Sequence, residues 1–268
     1  MNKIFNFKRF GKFFAFDART AAADWGVSFL VMALMPAIWF VLYEVLQLVT
    51  KGAWRPLPDD GKLPIFMVTM IVGMISFPVR HYGFITDKRR GSDWLLIPAS
   101  SFEKFLSLLL MCCVVVPVAL VGVYTICDLL MTIFPAYGDV SYRLSDAFRA
   151  RTFSDGNSLL SLSVCPAFIF WLNWCENTLI FALGAVLFRK AKIPYTILSV
   201  FGIILVLITI FGLIIGNTSF DLDLFDLGED ITAGKAATLV NVFVNVVYLV
   251  VFTVLDLGIY FRIKTIKQ

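Results

Sequence analysis

The sequence predicts an all-α polytopic membrane protein: six transmembrane helices behind an amphipathic interfacial helix, with both termini cytoplasmic. Three observations predict it. Of 268 residues, 59% are hydrophobic and 16% charged, against roughly 45–50% and 25% in soluble domains, and no soluble core of this size could hide the excess. The apolar residues are gathered into blocks of about 20, the length a helix needs to cross the hydrocarbon layer. The Lys and Arg residues lie at the ends of those blocks and favour alternate connections, as positive-inside topology requires.

Residues 1–25 precede the first block and interleave Phe with Lys and Arg, unlike a cleavable secretory signal. At 100° per residue Phe7, Phe10 and Phe14 share one side, with Lys8, Arg9 and Lys12 opposite. That pattern predicts a helix lying flat on an anionic leaflet; a basic tail that only fixes topology is the alternative. Residues 26–268 form one transmembrane domain, with spans over 26–48, 64–84, 105–130, 159–188, 194–215 and 237–260. Sixteen Lys and Arg fall on the side of the termini and seven on the other, which places both ends inside. Trp25, Tyr82, Trp94, Tyr195 and Tyr260 stand at inner ends, as members of an aromatic belt. Pro36, Pro117 and Pro166 predict kinks. The layout suits the inner, cytoplasmic membrane of a bacterium, with the lipid bilayer as solvent.

The net charge of +4 is explained by topology rather than by nucleic acid. The five cysteines lack metal-ligand spacing and read as small hydrophobes. His81 is the only histidine and marks a candidate base at a membrane edge. No GxSxG or HExxH is present, and the fragment Gly228 to Ala236 fails the P-loop pattern, with five residues between its glycines and Ala in place of Ser or Thr. No intrinsic ATPase, cofactor or metal site is therefore expected.

Polar residues inside the spans are more informative. An ionisable group at mid-bilayer costs about 2.5–3.5 kcal/mol on insertion scales, so it needs a partner or a wet cavity. Asn173, Glu176 and Asn177 share one face of the fourth span, flanked by Trp171 and Trp174; Asn241 and Asn245 share a face of the sixth. The two faces form either the wall of a pathway or interhelical hydrogen bonds. Glu44, Asp128 and Asp256 lie near helix ends, from which they can snorkel. Gly212 and Gly216 make a GxxxG that packs helices closely, or else Gly216 simply ends the fifth span. The acidic loop from Asp221 to Asp230 fails the calcium-loop spacing and reads as a solvated face.

The inner connection from Arg80 to Lys104 is the most distinctive stretch. Ser100 and Glu103 have capping-box spacing ahead of the third span, and Asp93 to Ile97 predict a short amphipathic turn pinned by Trp94 and closed by Pro98. Basic Lys88, Arg89 and Arg90, then Gly91, Leu95, Leu96, Pro98, Ala99 and Ser100, with Glu103 and Lys104 next, make a run that resembles the region between the second and third spans of type 2 ABC transporter permeases. Arg90 stands where that family often has an acidic residue. The resemblance covers the whole chain in layout and about 25 residues in sequence. It implies an exporter's membrane subunit, a separate cytoplasmic ABC ATPase docking on Arg89, Arg90, Gly91, Asp93, Trp94, Pro98 and Glu103, and a second permease copy or paralogue. A scaffold or sensor that binds a cytoplasmic regulator is one alternative; an intramembrane enzyme using Glu176 or Asp256 is another.

Overall fold

The structure is a computed structural model that describes residues 5–52, 56–58, 61–86, 91, 94, 96–140, 151–154, 161–164, 166–217 and 233–266. For 151–154, 161–164, 166–167, 211, 214–217 and 233–248 only the backbone is described. The described residues are helical almost throughout: α1 (Phe7–Ala33), α2 (Met35–Lys51), α3 (Lys62–Tyr82), α4 (Ser101–Leu110), α5 (Val116–Met131), α6 (Pro166–Leu187), α7 (Lys192–Asn217) and α8 (Ala233–Thr265). One antiparallel hairpin, β1 (Arg151–Ser154) with β2 (Ser161–Val164), pairs Arg151 with Val164 and Ser154 with Ser161.

Among the described residues, four stretches are long and apolar enough to cross a membrane: Lys62–Thr86, Ser101–Met131, Phe168–Leu187 and Lys192–Ile210. The α1–α2 pair qualifies jointly, bent by 46° at Leu34. Pro36, which cannot donate to the carbonyl one turn back, lies at that bend. The helix α1 runs unbroken through the expected 25/26 boundary. Backbone helix covers the sixth expected block, 237–260, within α8.

The expected fourth span from 159 is shortened, because Ser161 to Val164 alternate polar and apolar residues and pair as a strand. Pro166 does not kink a helix as expected but begins one, the position where its missing N–H costs nothing.

Pro117 does perturb its helix. Between α4 and α5 the backbone widens into a π turn, Met111–Val115. Without an N–H, Pro117 leaves carbonyls of the preceding turn unserved. Trp171 Nε1 donates to the Cys113 carbonyl at 2.8 Å and Trp174 Nε1 to that of Cys112 at 2.9 Å. Two indoles of α6 thus repair the ladder of its neighbour, as the dry interior of a membrane protein demands.

Around this joint lies the core, with Trp174, Leu120, Met70, Leu108 and Leu179 almost without exposed surface. Close approach depends on glycines the sequence did not single out. A Cβ on Gly73 would lie 2.9 Å from Leu120 and 3.2 Å from Trp174, and one on Gly184 would lie 1.9 Å from Thr196 Oγ1. A Cβ on Gly212 would meet nothing within 4 Å among the described residues. The Gly216 side of the expected pair lies outside the described side chains. The apolar α7 is exposed along most of its length, as suits a helix facing lipid.

Candidate functional site

In α1 the buried residues Phe13, Asp17, Ala21 and Trp25 recur every fourth position, a stripe turned into the bundle. Phe7, expected to face the lipid, is exposed, and Phe10 stacks on Phe14 with ring centroids 5.9 Å apart. The helix therefore docks on protein through a face one residue removed from the expected one, and this face carries a carboxylate.

Asp17 is the centre of a polar tie. Its Oδ1 lies 3.1 Å from His81 Nε2, and its Oδ2 accepts from Tyr82 Oη at 2.9 Å and Ser107 Oγ at 2.6 Å. The partners come from the end of α3 and from α4. On the other side of the imidazole, His81 Nδ1 lies 3.5 Å from an Asp24 carboxylate oxygen. Phe77 stacks on the ring at 5.6 Å. Asp17, His81 and Ser107 are all buried. The Ser107 hydroxyl is spent on the carboxylate, so the trio lacks the nucleophile-to-base contact of acyl-transfer chemistry. What the arrangement can do is hold α1, α3 and α4 together in a dry interior, where satisfied networks are strong and broken ones costly.

A second tie lies at the start of α1 and of α4. Asn6 caps α1, its side chain accepting from the Lys8 and Arg9 amides at 3.0 and 3.4 Å. The Asn6 amide donates to Glu103 Oε1 at 2.9 Å. Arg9 then grips Glu103 with both prongs, Nε to Oε2 at 2.7 Å and Nη2 to Oε1 at 2.8 Å, the fork geometry that suits a carboxylate. The predicted capping box is present: Glu103 Oε2 accepts from the Ser100 amide at 2.9 Å, and Ser100 Oγ from the Glu103 amide at 3.2 Å. One carboxylate thus caps α4 and anchors α1.

The intervening segment is tied at both ends. Lys192 donates to the Gly83 carbonyl at the start of α7, and Lys104 donates to the Trp94 carbonyl at 2.8 Å while its ammonium sits 4.6 Å from the centre of the Trp94 ring. At this end of the bundle the last turns of α8 also pack, with Arg262 donating to Val186 O at 3.3 Å and Tyr260 against Phe105.

Of the residues expected at the coupling segment, Gly91, Trp94, Pro98 and Glu103 are described, and Arg89, Arg90 and Asp93 lie outside the described residues. Trp94 is not a membrane anchor but a core side chain, 4% exposed, and Leu96 is the exposed apolar residue beside it, at 80%. Trp25 and Tyr82, expected in an aromatic belt, are likewise buried; Trp25 donates to Ser76 Oγ at 3.1 Å. Glu44 and Asp128 do not snorkel: both are buried, and Asp128 accepts from the Tyr137 hydroxyl. In each case a neighbouring helix or loop covers what a lone helix would expose.

On α6, Asn177 Nδ2 donates to the side-chain and backbone oxygens of Asn173 at 2.7 Å and 2.8 Å, a bond within one helix rather than between helices. Glu176 is half-buried beside them, lining a crevice against α8. Asn241 and Asn245 lie on the α8 backbone with side chains outside the described ones; among the described residues Leu249, Phe252 and Thr253 of α8 line the crevice with Glu176. Cys112, Cys113 and Cys175 are free and buried. Among the described residues, no group of three or more His, Cys, Asp and Glu side chains is placed to hold a metal ion.

Sequence reasoning missed Asp17 and Asp24. The signal was a carboxylate repeating at the spacing of Phe13, Ala21 and Trp25, on the stripe a helix buries. No protein-family model, no curated protein and no solved structure matches the chain.

Proposed function

We propose that the protein is the membrane-spanning permease subunit of an ABC-type exporter, crossing a bacterial inner membrane six times with both ends in the cytoplasm. It couples to a separate ATPase through the segment between the second and third spans. The observation that carries this reading is the double tie at one end of the bundle. Arg9–Glu103 and Asp17–His81–Tyr82–Ser107 bind the N-terminal helix, the end of α3 and the start of α4 around residues 83–100. A push delivered there reaches three helices at once, because α3 and α4 are each held to the N-terminal helix by charge-assisted or buried hydrogen bonds. Mechanical coupling to a motor needs such a stiff handle.

The test is purification of the tagged chain in mild detergent. An ABC ATPase should come with it, and its hydrolysis should depend on the membrane subunit. Retention of an unrelated cytoplasmic regulator with no ATPase would favour a scaffold and overturn the transport reading.

A further inference from the structure

We propose that the crevice between α6 and α8 binds a lipophilic cation drawn from the bilayer, with Glu176 as its counter-charge. The cavity holds about 360 Å³, within the range of small-molecule sites. Phe168 and Trp171 from α6 and Phe252 from α8 make its walls, and among the described residues that line it Glu176 is the one carboxylate. The other polar groups of the described wall are occupied: Thr253 donates to the Leu249 carbonyl at 2.7 Å, the Trp171 N–H is spent on Cys113 at 2.8 Å, and the Cys175 thiol points to the same Cys113 carbonyl at 3.8 Å. The faces of the aromatic rings and the carboxylate are what remain for a ligand.

Glu176 is the eleventh of the 22 residues of α6, and no described side chain donates to it or pairs with it. A carboxylate at that depth is unfavourable without a counter-charge. Rings around a carboxylate attract a cation through both the charge and their π faces. An anion is repelled, and a neutral lipid leaves the carboxylate unpaired. Phe168 and Leu249, which line the crevice, are exposed, which sets the ligand's other property, an apolar body. The inference deepens the transport reading by naming a class of cargo, and it rests on that reading only for the steps after binding.

Equilibrium binding of radiolabelled tetraphenylphosphonium to the full chain in zwitterionic nanodiscs tests it without any ATPase. Saturable binding is expected, weakened about tenfold or more in Glu176→Gln, as loss of one charged contact implies. Glu176→Asp should retain most of the affinity, and tetraphenylborate should not compete. Thr253→Trp, which fills the cavity and leaves the carboxylate in place, should abolish binding and guards against misfolding of Glu176→Gln. Absence of saturable binding, equal affinity in folded Glu176→Gln, or competition by tetraphenylborate overturns the proposal. So does a disulfide between two copies of Thr253→Cys, which would assign the crevice to a second chain. Cation binding with no co-purifying ATPase would sink the exporter reading and leave the site standing; the reverse pattern would sink the site alone.

Discussion

A buried carboxylate is tolerated when protein donors replace its lost water, and Asp17 has three partners within 3.1 Å. Asp17→Ala strands His81, Tyr82 and Ser107 in a dry interior. With about 1–3 kcal/mol for each donor left unsatisfied, the destabilisation should reach ~3 kcal/mol or more. Thermal unfolding in detergent measures it, and Asp17→Asn, which keeps an acceptor, should lose less. An unchanged melting temperature for Asp17→Ala would mean that the tie contributes nothing. Ser100→Ala removes one half of the capping box and should cost about 1 kcal/mol, a smaller effect than loss of Asp17. Ser100 and Glu103 were legible because capping is local, readable from four consecutive residues. Asp17 was not, because in sequence it stands among Arg19, Thr20 and other polar residues of an apparent tail, and its donors are 64 to 90 positions away.

Elements meet where one repairs or admits another. The Cys113 carbonyl is deprived of its donor by Pro117 and served by Trp171, so the two positions should be coupled. Trp171→Phe should destabilise by ~1–2 kcal/mol, as the carbonyl is left with only the weak Cys175 thiol donor at 3.8 Å. In a Pro117→Ala background, where the helix regains its N–H, the loss should shrink. A double-mutant cycle on unfolding free energies checks this, and additive losses would refute the repair. Gly184 admits Thr196 of α7 so closely that any side chain collides. Gly184→Ala should therefore cost about 1–3 kcal/mol through overpacking, while Gly212→Ala, with open space around it, should leave unfolding unchanged. A sequence motif for helix packing names spacing, whereas contact depends on which face the neighbour occupies; that is why the GxxxG was visible and the packing glycines were not.

For the whole molecule, the Lys and Arg asymmetry and the ties predict that the Asp17 end faces the cytoplasm. Cysteines placed at Lys190 and Lys264 should resist a membrane-impermeant maleimide in intact cells and react after permeabilisation, whereas one at Asp226 should react in both. Labelling of all three in intact cells would overturn the topology. The coupling segment gives a matching contrast. Leu96 is exposed and Trp94 buried, so under the proposed coupling to an ATPase Leu96→Glu should lower the partner's hydrolysis with little change in unfolding temperature, and Trp94→Ala should lower the unfolding temperature itself. Removal of the whole turn would confound the two.

The helical class and the rough positions of helices long and apolar enough to cross a membrane were determined by the sequence alone, because a segment's fitness for lipid depends on its own hydropathy and length. The capping box and the break beside Pro36 were equally local. Only the tertiary structure decided that Trp25, Tyr82 and Trp94 are core donors or packing groups rather than belt residues. It also decided that α1 buries a carboxylate and that two indoles mend a π turn. Those outcomes depend on which helices lie side by side, and partners for buried polar groups are supplied across distances that no periodicity along one helix can encode.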